Sequence, residues 1–351
     1  MSSYATFAAP LLRLLDAETG HRLAIRALSC GLVPAAPAFE NAVLRQSLWG
    51  LDFANPLGSA AGFDKNAEAV AATLALGFGF VEVGTVTPRP QPGNPKPRLF
   101  RLVEDGAVIN RMGFNNQGLE TVLSRLKARR LAGIVAINLG RNKDSADAIA
   151  DYVEGVRRAA PLASFLIINV SSPNTPGLRA LQRRQDLADL LGAARTARDE
   201  TVGRQPPLLV KIAPDLTEAE LADIAAVALD VGIDGIVATN TTIGRPASLR
   251  GSHAGETGGL SGRPLFALST QVLGTVYKLT AGRLPLIGVG GVTTGADAYA
   301  KIRAGASLVQ FYTAMVYGGP GIVADIRRDL AALIRRDGFG SVAEAVGADH
   351  R

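Results

Sequence analysis

The sequence predicts an α/β fold, a (β/α)8 TIM barrel with a small N-terminal two-helix extension and a β-hairpin insertion. From about residue 57 onward, eight short apolar runs, most rich in β-branched residues, alternate with stretches of helical spacing. The runs are mostly uninterrupted by polar residues, as strands covered on both faces of a parallel sheet must be. Polar signatures follow nearly every run, as the convergent loops at one mouth of a barrel require. A doubly wound sheet, the competing arrangement, would gather them at its crossover point.

In chain order, residues 1–45 stand apart from the repeat. Tyr4 to Leu15 and Ala17 to Cys30 show helical apolar spacing, with a break near Glu18 to Gly20 and a Pro-rich exit at Pro34 and Pro37. In the first of these helices Arg13 and Asp16 are nearly the only polar residues beside Phe7, Leu11, Leu12, Leu14 and Leu15. It either packs on the barrel or lies in a membrane interface, and packing is the commoner fate. The barrel is expected over residues 46–340. Its strands are Leu57 to Ala60, Phe80 to Thr85, Ile134 to Asn138, Phe165 to Val170, Leu208 to Ile212, Gly235 to Thr239, Leu286 to Val289 and Leu308 to Tyr312. Helices such as Glu218 to Val231 and Ala296 to Ala304 lie between them. Arg98 to Asn110 alternates around Glu104-Asp105-Gly106 and reads as a hairpin inserted after the second strand. Residues 341–351 are left as a tail.

The chain of 351 residues is 47% hydrophobic and 19% charged, the balance of a globular protein with a large core. Its one cysteine, Cys30, excludes an internal disulfide and any Cys-based zinc or iron–sulfur site, and suits a reducing compartment. No apolar run reaches the roughly 18–20 residues that span a bilayer, and no signal or transit peptide is expected. A net charge of +6 would suit an anionic membrane, a nucleic acid or a phosphorylated cofactor, or is simply a mildly basic surface.

The densest polar stretch, Asn169-Val170-Ser171-Ser172-Pro173-Asn174-Thr175-Pro176-Gly177-Leu178-Arg179, directly follows the apolar run Phe165 to Ile168 and reads as an active site. Glycine clusters at Gly258 to Gly262 and Gly288 to Val292 suit a phosphate, the second because it follows the seventh strand, and Tyr312-Thr313 could close the same site. Lys65 lies just past the first strand, and Lys211 interrupts Leu208-Leu209-Val210-Lys211-Ile212. A lysine buried there must meet a carboxylate or an anionic ligand. Asn110, Asn115, Asn138, Asn169, Asn174 and Asn240 cluster at strand or hairpin ends and offer the donors and acceptors that a planar imide needs. The histidines, His21, His253 and His350, are not near Ser172 in sequence, so a Ser-His-Asp hydrolase is not expected, and no metal motif occurs.

With these motifs the chain resembles the class 2 dihydroorotate dehydrogenases, which are quinone-dependent and membrane-associated. The matching segments run in order through nearly the whole chain: Ala61-Gly62-Phe63-Asp64-Lys65, Gly84 to Pro88, Asn110-Arg111-Met112-Gly113-Phe114-Asn115, Asn169 to Arg179, Thr239 to Thr242, Gly258 to Pro264, Gly288 to Val292 and Gln310 to Thr313.

The resemblance implies FMN, its phosphate held by Gly262, Gly291, Tyr312 and Thr313. Ala61, Gly62, Phe63, Asp64, Lys65, Thr85, Asn138, Asn169, Lys211 and Thr239 would surround the rest. Dihydroorotate would be gripped by Lys65, Asn110, Arg111, Met112, Gly113, Phe114, Asn169, Asn174, Asn240 and Thr241. By the same resemblance Ser172 is the base that removes the C5 proton while hydride leaves C6 for flavin N5, yielding orotate in the fourth step of pyrimidine biosynthesis. Thr175 would relay the proton, and Phe114 with the Pro173 to Arg179 loop would control access. His21 and Arg101 match quinone-contacting positions, for ubiquinone or menaquinone. On residues alone His21 would pass for a surface residue.

By the same resemblance the N-terminal helices would form an apolar tunnel and a peripheral contact with anionic lipid, at the cytoplasmic face of a bacterial inner membrane. No nucleic-acid or obligate protein partner is expected. A dihydrouridine synthase is disfavoured because Cys30 lies outside the barrel. A non-catalytic flavin-binding barrel is the alternative from another class.

Overall fold

Eight parallel strands close on one another in chain order in the computed structural model, which describes residues 14–128, 133–203 and 205–351. After helix α1 (Ala17–Ser29) the strands are β1 (Gln46–Leu48), β2 (Leu51–Phe53), β3 (Leu57–Asp64), β4 (Phe80–Val86), β5 (Leu99–Leu102), β6 (Ala107–Asn110), β7 (Ile134–Leu139), β8 (Phe165–Asn169), β9 (Leu208–Ile212), β10 (Gly235–Ala238), β11 (Gly259–Gly262), β12 (Leu286–Val289) and β13 (Ala306–Phe311). The barrel uses β3, β4, β7, β8, β9, β10, β12 and β13. The expected strands are found at their expected starts except the last, which begins earlier because Ala306 pairs with Leu286. The first also runs on to Asp64 through a register shift between Ser59 and Asp64, which leaves residues 60–63 out of register with β4 at the barrel mouth.

Inside the barrel Phe80, Phe165, Leu209, Val237, Ile287 and Leu308 form one apolar cluster. A second, larger core lies between the strands and the surrounding helices. The opposite end from the mouth is closed by β1–β2, a hairpin absent from the sequence-based expectation. Its turn residues Trp49 and Gly50 both take positive φ (54° and 70°), the type I′ geometry of a tight hairpin. The Trp49 indole donates to the Asp234 carbonyl at 2.9 Å and packs on Phe53 and Phe165, plugging the barrel where strands begin.

The inserted hairpin is present as β5–β6 and turns at Gly106. It gains a third strand: β11 pairs antiparallel to β6, from Gly259 opposite Asn110 to Gly262 opposite Ala107. The glycine cluster Gly258 to Gly262 is therefore mostly a strand. At the other end of the chain, the tail of residues 341–351 packs on the rest of the fold. Val342 and Ala345 are buried, and the His350 ring stacks on Tyr277 with centroids 5.4 Å apart.

The expected helix Tyr4 to Leu15 lies outside the described residues except for Leu14 and Leu15, both exposed. Helix α1 starts at Asp16, whose carboxylate accepts from Thr19 N at 2.9 Å. It is pinned by a buried two-pronged pair: Arg98 Nε and Nη2 donate to the Glu18 carboxylate at 2.9 and 2.8 Å. The Arg98 guanidinium holds the Glu18 carboxyl below the usual carboxylate range. That contribution is present above the carboxyl's unfolded pKa and is lost as acid protonates it. Glu18→Gln is expected to weaken docking of α1 by about 1–3 kcal/mol. The loss is limited because Arg98 keeps the Pro92 and Asn94 carbonyls as acceptors. Limited proteolysis reads it as faster cleavage next to α1, and an unchanged cleavage rate would refute it.

Candidate active site

A cavity of about 260 Å³ opens where the barrel strands end, roofed by β6 and β11 and flanked by α1. Its floor is a polar network inside an apolar barrel. Fully buried Glu82, on β4, accepts from Asn138 Nδ2 at 2.5 Å and Gln310 Nε2 at 2.6 Å, and lies 3.5 Å from Lys211 Nζ. The partner demanded by Lys211 is thus a carboxylate across the barrel. Asn138 Oδ1 accepts from Thr85 Oγ1 (2.6 Å) and Asn169 Nδ2 (3.1 Å). Tyr152 Oη fixes the Asn169 carbonyl from behind at 2.7 Å. Asn169 Oδ1 in turn accepts from Ser171 and from Asn240 Nδ2, so one network spans β4 to the loop after β10.

Ser172 follows β8 and is 7% exposed, with the Asn174 N–H donating to its Oγ at 3.3 Å. The loop around it is held by Arg179, which donates to the Ser171 and Thr241 carbonyls and pairs with Asp215 at 2.8 Å. Asn174 Nδ2 donates to Asn110, and Asn94, a residue the sequence reading passed over, donates to the carbonyls of Asn174 and Arg111. Gly113 and Phe114 both take positive φ (71° and 54°), a turn that puts Phe114 on the cavity wall. Lys65 also lines the cavity, its Nζ donating to the Gly62 carbonyl at 3.1 Å, and burial lowers its pKa to about 8.

At the far side Gly262, Gly291, Tyr312 and Thr313 come together on the wall. A Cβ on Gly291 (φ 78°) would sit 2.5 Å from Phe266, and one on Gly262 (φ 94°) 2.3 Å from the Gly106 carbonyl, so only glycine fits. Thr313 Oγ1 lies 2.9 Å from Ser261 Oγ. Beyond Tyr312 the cavity turns apolar toward Ala17, Gly20 and Ala24 of α1. His21 stands there between Phe63 and Tyr312, its Nδ1 3.1 Å from Tyr312 Oη. Burial and the Lys65 ammonium push its pKa down to about 3, and burial pushes the Tyr312 phenol up, so both are neutral. Arg101 lines the same end and donates to the Leu15 carbonyl at 3.1 Å.

Ala61, Gly62, Phe63, Thr85, Met112, Thr239 and Thr241 also reach the wall. Four expected side chains do not. Arg111 points outward to Glu256 (2.6 Å) and over the Phe100 ring. Asp64 accepts the backbone N–H groups of Asn66, Glu68 and Ala69 and so shapes the loop that carries Lys65. Asn138 stands behind Thr85 and Asn169, and Thr175 is buried in the Ser172 loop. Glu82 went unnoticed, although it breaks Phe80-Val81-Glu82-Val83 just as Lys211 breaks its own run.

Residues 43–334 match the family model described as dihydroorotate dehydrogenase. The quinone-type dihydroorotate dehydrogenase of Rhodospirillum rubrum is 61% identical over all of the chain and 96% of the relative. That of Azorhizobium caulinodans is 58% identical over 97% and 98%. A crystal structure of the Eimeria tenella enzyme with ferulenol superposes with a TM-score of 0.93 at 45% identity, covering 96% of each chain. In sequence and fold alike, the chain belongs to the dihydroorotate dehydrogenase family.

Proposed function

We propose that the protein oxidises (S)-dihydroorotate to orotate with FMN as cofactor and a membrane quinone as final acceptor. One observation carries this reading: a single cavity joins Ser172, Lys65 and an amide cluster to a glycine cradle and, past Tyr312, to an apolar passage along α1. The residues suit FMN. Gly262 and Gly291, held to glycine by Gly106 and Phe266 packed behind them, present bare backbone to the cavity, Tyr312 and Thr313 add polar groups, and Lys211 places a cation at the cavity beside Thr85 and Asn169. When bound, FMN accepts the hydride and passes the electrons to quinone.

The chain's own groups do the rest. Lys65 meets the substrate carboxylate, while Asn110, Asn174, Asn240 and Thr241 hold the planar ring by its amide edges. Ser172 takes the C5 proton. Thr175 Oγ1, buried and without a hydrogen-bond partner among the described residues, is the next hydroxyl on the way out. Phe114 and residues 173–179 cover the substrate and exclude water. Quinone enters along α1 and meets His21 and Arg101. Peripheral contact with anionic lipid, at the cytoplasmic face of a bacterial membrane, is supported by the exposed Leu14, Leu15, Leu23 and Leu32 around α1 and by the net charge of +6. Among the described residues no helix is long and apolar enough to cross a membrane.

Anaerobic stopped-flow absorbance tests the reading. Dihydroorotate should bleach the flavin band, and quinone alone, not fumarate or NAD, should restore it rapidly. No bleaching would sink the assignment. A second expectation concerns Lys65, whose pKa of about 8 lies below the usual 10.5, so its charge is present at pH 7 and is lost as pH rises past 8. Orotate affinity should therefore fall above pH 8, approaching about tenfold per unit. Lys65→Met should bind weakly at every pH; a wild-type titration flat to pH 10 would refute the role.

A further inference from the structure

Lys301 is completely buried, yet it takes part in none of the ion pairs among the described residues. Its Nζ donates to Ser269 Oγ at 2.6 Å and sits 5.2 Å from the centre of the Phe266 ring. The nearest acid on its own helix, Asp297, is engaged by the N–H groups of Thr293 and Thr294 and by the Thr293 hydroxyl. Burial lowers the lysine's pKa to about 7, and the Asp297 carboxylate offsets only part of that. An ammonium without a counter-ion is costly in a core, and a methionine of similar length would serve packing better.

The position of the group supplies the reason. Ser269 Oγ lies 3.0 Å from the Gly290 carbonyl, to which it can donate, and a Cβ on Gly290 would approach Ser269 Oγ to 2.7 Å. Phe266, under whose ring the ammonium lies, is the residue against which Gly291 packs. Lys301, Ser269 and Phe266 thus form the back of the Gly290–Gly291 turn, whose front faces the cavity. The cationic residues on the cavity wall are Lys65, Arg101 and Lys211, and none of them follows β12 or β13. The glycine cradle therefore has no cation of its own in front, and one directly behind.

We propose that Lys301 is a positioning residue for the cofactor phosphate. It holds the Gly290–Gly291 turn through Ser269 and supplies, through the backbone, positive charge that an anionic phosphate completes. The inference rests on the FMN reading above and assigns the part of the ligand that Lys301 senses. A charge acting through a low-dielectric wall over several ångströms changes affinity by about tenfold or more.

The test compares FMN with riboflavin, which has the same ring and no phosphate. Apoprotein is prepared from wild type, Lys301→Met and Ser269→Ala, and each is titrated with both ligands by flavin fluorescence. Lys301→Met should raise the FMN Kd about tenfold or more and leave the riboflavin Kd within about twofold. Apoprotein melting should stay level or rise, because a lone buried charge has been removed. Ser269→Ala should move FMN affinity in the same direction by less, and it carries the test if the methionine variant does not fold. Equal losses for FMN and riboflavin would make the residue a packing element and overturn the proposal, as would no loss for either. A wild-type apoprotein that binds neither flavin would instead defeat the FMN reading itself.

Discussion

Replacing Ser172 by alanine should slow dihydroorotate-driven flavin reduction by about 10²- to 10⁴-fold while FMN stays bound, the range set by loss of one positioned general base. The side chain lies at the end of β8 with the Asn174 N–H directed at its oxygen. That hydrogen bond favours the deprotonated oxygen and orients a lone pair. No histidine among the described residues bonds to the hydroxyl, so the proton must leave through other hydroxyls or water. Thr175, three residues on in the same loop, is 4% exposed with an unpartnered oxygen and is the proposed relay. Thr175→Val should therefore slow the same step by less than Ser172→Ala. Flavin should remain with both variants, because the glycine cradle and the Glu82–Lys211 floor are built from other strands. Rapid-mixing absorbance under anaerobic conditions measures the bleaching rate directly. A Ser172→Ala protein that bleaches at the wild-type rate would remove Ser172 from the base role.

The fold was legible because each barrel strand is an apolar run ended by a polar signature. Burial on both faces writes that pattern plainly for Leu208 to Ile212 and for Phe165 to Ile168. The hairpin of Gln46 to Phe53 escaped for the opposite reason: its strands are three residues each, and Trp49-Gly50 lacks the Asn-Gly or Asp-Gly pair that marks a type I′ turn. The site was legible as a set of segments, less so as a set of directions. Asn110 and Met112 face the cavity, whereas Arg111 between them points outward, as alternation in extended chain requires. Asp64, between Phe63 and Lys65, turns from the same wall. A motif names all three neighbours without saying which face each takes. Pairing across the barrel is harder still, since stagger around a closed sheet decides which interior side chains share a layer. Glu82 and Lys211 each interrupt their own apolar strand, but nothing local couples position 82 to position 211.

That pairing carries the second large effect. Glu82→Gln leaves the Lys211 ammonium 4% exposed with no carboxylate at hand, and Lys211→Met leaves the Glu82 carboxylate fully buried without its cation. Either change should cost the apoprotein about 3–5 kcal/mol, the loss on stranding one partner of a buried pair. The double variant removes both charges, so it should be more stable than either single one, with a coupling energy of a few kcal/mol. Stability and function then part company. Lys211 lines the cavity and, from a water-poor wall, favours negative charge developing beside it. The double variant should fold well and still reduce flavin slowly, as should Lys211→Met, whereas Glu82→Gln keeps the cation at the cavity and should retain more of the rate. Urea unfolding of the four apoproteins measures the cycle, and anaerobic bleaching by dihydroorotate measures the other half. Single losses below about 1 kcal/mol, or losses that simply add, would show that the pair is not coupled. A double variant that bleaches at the wild-type rate would show that Lys211 holds the barrel floor and nothing more.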